Sequence, residues 1–340
     1  MRTTKNVVRV TRGSEMESVH LAHGIVCGLE GGQEAQFGDS ELLAFWRSAM
    51  KPFQALPLVR DGVLETYGFD AVQLALCCAS HDGMPMHVEI VSAMLGRLGL
   101  FSGQLECGVH PPNDRAAAEA VVRAGGHFTP LHNNCSGKHA GMAALALHRG
   151  WPLRGYSRDD HPVQERMRRE LGKWLDVDPE IVRWAADGCG VPTPYLSLRQ
   201  MARAYARLGR AAAAGERGAT EVVSAMTARP ELVSGPGNFS TRLMQDTSGR
   251  IVGKEGAEGV FCAAEPLKGW GLALKIGDGN SRAAGPAVIG MLEALDLLRP
   301  EELGRLADLR ETVVMNRQGR KVGVIRADMS ARFVPVATPL

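Results

Sequence analysis

The sequence predicts an α+β protein. Strands from the N- and C-terminal parts of the chain share one antiparallel sheet, helices pack on that sheet, and a helical region lies between. Two observations carry this prediction. Short β-branched runs open and close the chain, and between them the apolar residues recur at helical spacing. Neither an internal repeat nor a linker interrupts the 340 residues. The chain therefore reads as one domain over 1–340, with a helical sub-region at about 84–230.

The elements follow in order. Asn6 to Val10 and Val19 to Leu29 are β-like, and Gly31-Gly32 predicts the turn of an antiparallel hairpin that continues to Gln36 and Phe37. From Ser48 the period changes, with Met50, Phe53, Gln54, Leu56 and Pro57 on a short helical stretch. Pro52 has no N–H to donate and fits only a first turn, which sets the helix start near Ser48. Asp70 to Cys78 predicts a buried helix capped by Asp70, followed by the loop Ala79-Ser80-His81-Asp82-Gly83. Further helices are predicted at about 87–98, 114–124, 137–149, 162–175, 198–214 and 220–228. Strands return at 251–252, 259–263 and 271–276. A long apolar helix over 280–297 and closing strands at 322–325 and 333–336 complete the prediction.

Composition excludes several classes of function. A hydrophobic fraction of 45% and a charged fraction of 22% are ordinary for a globular protein. Lys and Arg number 39 against 37 Asp and Glu, and no block of like charge occurs, which excludes a nucleic-acid binder that relies on a basic face. No apolar run approaches the roughly 18 residues of a membrane span, and the opening residues lack the features of a secretory signal. Seven cysteines, an odd and scattered set, argue against a disulfide framework. The expectation is a cytoplasmic protein with reduced thiols, some available to a metal. The 40 glycines and 18 prolines imply many tight turns where backbone approaches something closely.

Several constellations carry potential chemistry. Ser48 and Lys51 stand three apart, on one face of a helix start. Serine is a poor nucleophile without a base, and lysine is a base only when its proton is displaced by burial or neighbouring charge. An N-cap serine beside a solvated lysine is the simpler structural reading. In Asn133-Asn134-Cys135-Ser136-Gly137-Lys138-His139, the side chains of Cys135, Lys138 and His139 share a helix face. Asp187 and Cys189 lie in a Gly/Pro-rich loop. Two thiolates and one nitrogen make a reasonable zinc shell. On chemistry alone His139 is preferred over Lys138, because a lysine ligand must be neutral. Both cysteines as small buried hydrophobes is the structural alternative. Ser80-His81-Asp82 reads as a turn rather than a triad, since sequence neighbours point apart. Lys254, between glycines at a strand end, and Asp278-Gly279-Asn280, at a strand–helix junction, are weak signals alone.

Taken together, these stretches resemble the bacterial asparaginase family typified by the inducible enzyme of rhizobia. The matching segments are Arg-Ser-Ala-x-Lys-Pro-x-Gln-Ala-Leu at 47–56, Ala-Ser-His at 79–81, Asn-Cys-Ser-Gly-Lys-His-x-Gly-Met at 134–142, Asp-Gly-Cys-x-x-Pro-Thr-Pro at 187–194, Val-Gly-Lys-x-Gly-Ala at 252–257 and Lys-Ile-x-Asp-Gly-Asn at 275–280. They fall in order across nearly the whole chain. The resemblance implies hydrolysis of L-asparagine to L-aspartate and ammonia, and a fold like that of serine β-lactamases and penicillin-binding proteins. It implies two Ser–Lys pairs in one site, Ser48 with Lys51 and Ser80 with Lys254, and we expect Ser48 to attack. It implies zinc held by Cys135, Lys138 and Cys189, which replaces His139 as the preferred ligand; the metal would help hold substrate rather than generate hydroxide. Asp187 would orient substrate or ligands, and Arg47, Asn134 and His139 would contact the substrate's carboxylate and amide. A homodimer is also implied, with neither nucleic acid nor membrane as partner. The sequence departs from the family pattern at Asp82-Gly83, Gly190 and Glu258-Gly259, which leaves glutamine cleavage open. The alternatives are a β-lactamase- or transpeptidase-like acyl enzyme, against which the chain lacks a Lys-Thr-Gly triplet, a zinc-hydroxide amidohydrolase, and a zinc-stabilised binding module.

Overall fold

The structure, a computed structural model, describes residues 6–30, 32–175 and 177–335. Gly31 of the predicted turn and Val336 of the last predicted strand lie outside them. The strands are β1 (Val7–Arg12), β2 (Glu15–Leu29), β3 (Gln33–Phe37), β4 (Leu43–Phe45), β5 (Arg183–Ala186), β6 (Pro192–Ser197), β7 (Val252–Gly256), β8 (Val260–Glu265), β9 (Trp270–Ile276), β10 (Glu311–Met315), β11 (Lys321–Asp328) and β12 (Arg332–Pro335). The chain divides into two compact units. The first comprises Met1–Ala49, Leu196–Arg210 and Arg242–Leu340; the second comprises Met50–Tyr195 and Ala211–Thr241. No described helix is long and apolar enough to cross a membrane.

The first unit is built on a nine-stranded sheet in the order β10-β11-β1-β2-β9-β8-β7, with β3 also on β2 and β12 on β3. Its pairings are antiparallel, and Val7 opposite Asp328 joins the two ends of the chain in one sheet, as the sequence predicts. Both faces of the sheet are covered. A Cβ on Gly24 of β2 would lie 2.7 Å from Met291 Cε, so helix Ala284–Glu293 rests on that face. A Cβ on Gly271 of β9 would lie 2.2 Å from Ala202 O, so helix Leu198–Ala213 rests on the other. Gly24 pairs with Leu274 and Cys27 with Gly271, and strand alternation puts Gly24 and Gly271 on opposite faces. Gly271 lets helix backbone approach the sheet where any side chain would intervene, and Gly24 makes room for the Met291 side chain.

The second unit is mainly helical. It includes Lys51–Arg60, Ala71–Cys77, Pro85–Leu98, Ser136–His148, Pro162–Leu175 and Arg217–Ala228. The predicted sub-region at 84–230 falls in this unit except for 196–210. Asp70 caps Ala71–Cys77 as predicted, accepting from Val72 N while the Gln73 side chain returns to Asp70 N. Strands β5 and β6 form a hairpin, with Ala186 opposite Pro192.

Two predicted elements need correction, and four strands were not predicted. The helix expected over 280–297 is a 3₁₀ turn, Ser281–Ala283, followed by an α-helix that stops at Glu293. The Asn280 side chain accepts from Arg282 N and caps the turn, and the Leu297 N–H returns to Leu292 O beyond the helix end. The strand expected at 251–252 extends as β7 through Lys254 to Gly256, because Lys254 pairs with Cys262 of the buried β8. Strands β4, β5, β6 and β10 were not predicted.

Candidate functional site

In the second unit the side chains converge on Lys51. It opens helix Lys51–Arg60 directly after a 3₁₀ turn at Arg47–Met50, with Pro52 in the first turn as the sequence predicts. Its side chain is buried, 1% exposed. Its Nζ donates to Ala79 O, to Ser80 Oγ at 2.9 Å and contacts Cys135 Sγ at 3.1 Å. Lys51, expected to partner Ser48, thus meets Ser80, 29 residues along the chain.

Backbone contacts fix the Ser80 loop. Ser80 N–H donates to Val233 O and His81 N–H to Asn134 O, which ties the loop to the segment that carries Cys135. His81 is fully buried and stacks on His87 with ring centroids 4.8 Å apart. Its Nδ1 accepts from Gly83 N at 3.0 Å, so its Nε2 donates to Ser136 Oγ at 2.8 Å. Burial, with smaller contributions from His87 and Lys51, holds the imidazole well below the ordinary histidine value. Both ring nitrogens are therefore committed to Gly83 and Ser136. The Ser80-His81-Asp82 run is not a triad, in agreement with the sequence reading.

The Cys135 segment is held by its own loop. Asn133 Oδ1 accepts from Cys135 N at 2.8 Å, and Cys135 precedes helix Ser136–His148. The next residues pack tightly, since a Cβ on Gly137 would lie 2.3 Å from Leu76 O. Lys138 Nζ lies 3.0 Å from Cys189 Sγ. Cys189 sits in the turn between β5 and β6, where Gly190 N donates to Asp187 O and Gly190 takes φ +86°. A left-handed φ suits glycine there. The two cysteines share one proton unequally. The Cys135 S–H donates to Cys189 and holds its thiol far below the ordinary value, with Lys138 adding to the effect, while Cys135 itself is raised by the same contact and by burial. Burial alone would lower Lys138, but Cys189 and Cys135 together hold its ammonium above the ordinary lysine value. His139 is fully buried, which lowers it, with Cys189 opposing that effect. Its Nδ1 lies 2.9 Å from Tyr156 Oη, and its Nε2 has no hydrogen-bond partner of ordinary geometry. Half-buried Asp187 accepts from Gly188 N and acts on Lys138, and Asn134 is half-buried beside Cys135.

The remaining expected residues, Arg47, Ser48 and Lys254, belong to the first unit. Trp46 is fully buried and donates to Cys262 Sγ at 3.3 Å, and Tyr205 Oη donates to Ala49 O at 2.7 Å. A Cβ on Gly256 would lie 3.0 Å from Trp46 O and 3.4 Å from Ala49 N. Ser48 therefore lies on a turn pressed against β7, the strand of Lys254. Arg47 adopts φ +53°, an uncommon conformation for a residue with a Cβ. Lys254 is fully buried, and the Glu255 carboxylate accepts from it at 2.6 Å.

No group of three or more His, Cys, Asp or Glu side chains stands ready for a metal among the described residues. The donors gathered here are of mixed type: the sulfurs of Cys135 and Cys189, the Lys138 amine, and the unpartnered His139 Nε2. Two sulfurs and a nitrogen suit zinc chemically, provided that the Cys135 thiol and the Lys138 ammonium give up their protons.

The family model for L-asparaginase II matches residues 8–327. The chain belongs to that family. It is an amidohydrolase, an L-asparaginase, and its substrate is a small molecule. No curated protein sequence matches the chain. In this asparaginase the structure brings Lys51, Ser80, Cys135, Lys138 and Cys189 into one hydrogen-bonded cluster, with His139 beside Cys189. Sequence reasoning missed Tyr156, which bonds His139, and Glu106, whose carboxylate accepts from Gly155 N and Ser157 N. Neither carries a motif that would have found it.

Proposed function

We propose that this asparaginase cleaves the side-chain amide of L-asparagine through an acyl-enzyme on Ser80, with Lys51 as the proton carrier. The observation that carries the reading is the 2.9 Å contact between Lys51 Nζ and Ser80 Oγ, buried beside Cys135. In its neutral form Lys51 takes the hydroxyl proton as Ser80 Oγ bonds to the amide carbon. The same nitrogen returns that proton to the departing amide nitrogen, which leaves as ammonia. Water, deprotonated in turn by Lys51, attacks the ester; the proton passes from Lys51 back to the departing Ser80 Oγ, and L-aspartate is released. His139, Asn134 and Asp187 are the proposed contacts to the substrate's polar ends. This route puts the attack on Ser80 instead of the expected Ser48 and sends its proton to Lys51 instead of Lys254; Arg47 keeps its expected contact to the substrate, and alanine replacement of Ser48, Lys254 and Arg47 tests the route.

Cys135, Lys138 and Cys189 are the residues that would hold zinc. Bound there, zinc supplies positive charge that helps retain the substrate. The proposal extends to a fold of the serine β-lactamase and penicillin-binding-protein type, supported by a broad antiparallel sheet and a Ser-x-x-Lys run at a helix start. It extends also to a homodimer, which light scattering on the purified protein tests.

Ammonia release from L-asparagine by the purified protein, before and after chelation, tests the reading. Turnover that survives chelation at saturating substrate, with only KM raised, supports the serine route. Complete loss of turnover at saturating substrate would favour metal-bound hydroxide instead. A covalent adduct with penicillin and no ammonia from asparagine would favour the cell-wall acyl-enzyme alternative.

A further inference from the structure

We propose that Tyr156 is a positioning residue. Its hydroxyl donates to His139 Nδ1, fixing the His139 tautomer with the proton on Nε2, and so presents a hydrogen-bond donor to the site. The argument is a count of protons. Tyr156 is fully buried. Its oxygen accepts the Glu106 N–H at 2.8 Å and lies 2.9 Å from His139 Nδ1. A phenol has one proton. If His139 carried its proton on Nδ1, two N–H groups would point at one oxygen, and the phenolic proton would be stranded in a dry interior. With the proton on Nε2, every group in the chain Glu106 N–H, Tyr156 O–H and His139 Nδ1 is satisfied.

The surrounding structure holds Tyr156 in place for this contact. The Glu106 carboxylate accepts from Gly155 N at 2.6 Å and from Ser157 N at 2.9 Å, gripping the turn on both sides of Tyr156. Gln164 Nε2 donates to Tyr156 O at 2.7 Å. The phenol and imidazole meet edge to face at 5.5 Å. His139 Nε2 makes no hydrogen bond of ordinary geometry, but the Cys189 sulfur lies close enough to act on it, so its proton is shared between that sulfur and an incoming substrate oxygen. The tautomer also removes the Nε2 lone pair from the pool of metal ligands. That leaves Lys138 as the nitrogen beside Cys189, in place of the histidine that chemistry alone prefers.

The use of that donor by substrate rests on the proposed asparagine reading; the tautomer does not. Long-range ¹H–¹⁵N spectra of histidine-labelled protein, with His139 identified by its absence from His139→Gln, report which nitrogen is protonated. The expected result is a protonated Nε2 and a bare Nδ1, unchanged by added zinc, with tautomer exchange appearing in Tyr156→Phe. Tyr156→Phe should lower kcat/KM for asparagine roughly 10–100-fold, the usual scale for losing an orienting partner. The double variant should be no worse than His139→Gln alone, because Tyr156 acts through His139. A proton on Nδ1, an Nε2 signal displaced by zinc, or multiplicative losses in the double variant would overturn the proposal. Wild-type protein inactive on asparagine would remove the substrate reading and leave the tautomer result standing on its own.

Discussion

Lys51→Met separates catalysis from folding more cleanly than any other substitution at this site. Methionine has nearly the length of lysine and keeps the buried stem packed, while it removes the Nζ that touches Ala79 O, Ser80 Oγ and Cys135 Sγ. Losing a positioned proton carrier costs roughly 10²–10⁴ in rate, or about 3–5 kcal/mol of barrier. For stability the terms oppose. The Ala79 carbonyl loses a buried partner, at about 1–3 kcal/mol, but a side chain only 1% exposed no longer buries an amine. The net change in folding free energy should stay within about 2 kcal/mol. Ammonia release at saturating asparagine and urea denaturation of the same preparation measure both quantities. A rate loss under tenfold, or a rate loss explained entirely by unfolded protein, would refute the role given to Lys51.

Three other perturbations probe the supports of the site. Gly137→Ala places a Cβ 2.3 Å from Leu76 O, a backbone atom that cannot step aside, and should cost about 1–3 kcal/mol in thermal or urea denaturation, with activity falling as Cys135 and Lys138 shift. Wild-type stability in this variant would mean that the helices are not so close. Cys189→Ser should abolish stoichiometric zinc in elemental analysis of the purified protein; and because thiol and ammonium ligands must shed protons, zinc affinity of the wild type should rise with pH, a flat profile counting against the ligand set. The Asp61 side chain, 6% exposed, is held below the ordinary carboxylate value: burial would raise it, but Arg166 and Arg149, at 2.9 and 2.8 Å, prevail. Its contribution is complete above the unfolded carboxylate value near 4 and is lost as pH falls through the lowered folded value. Asp61→Asn should therefore cost about 2 kcal/mol at pH 7 and flatten the acid limb of the stability curve, as urea titrations across pH would show; equal losses at pH 7 and pH 3 would contradict the sign.

The sequence exposed the chemistry of the site better than its wiring. The run at 134–142 was legible as a signature, yet the structure gives its glycines a packing role. A Cβ on Gly141 would lie 2.8 Å from both Cys77 Sγ and Leu58 Cδ1, so the motif's small residues bring the helix of Cys135 and Lys138 against its neighbours. The partner of Lys51 was not legible. Spacing along a helix points to Ser48, whereas the amine turns to a loop reached only through tertiary packing. Tyr156 was illegible for the same reason. The terminal strands were readable because β-branched runs bounded by turn residues persist whatever packs on them. In contrast, Val-Gly-Lys-Glu-Gly at 252–256 reads as the end of a strand and continues as one. The missing side chain at Gly253 leaves room for the Phe261 ring, which would lie 2.8 Å from a Cβ there. Strand β10 follows the short helix Ala307–Arg310 with no glycine or proline to mark the change.

The most direct test is to quench the enzyme during turnover of asparagine and locate the aspartyl ester by peptide mass spectrometry in wild type, Ser80→Ala and Ser48→Ala. The account predicts the ester on Ser80, retained in Ser48→Ala and absent from Ser80→Ala. An ester on Ser48 in the wild type, or ammonia release undiminished in Ser80→Ala, would contradict it.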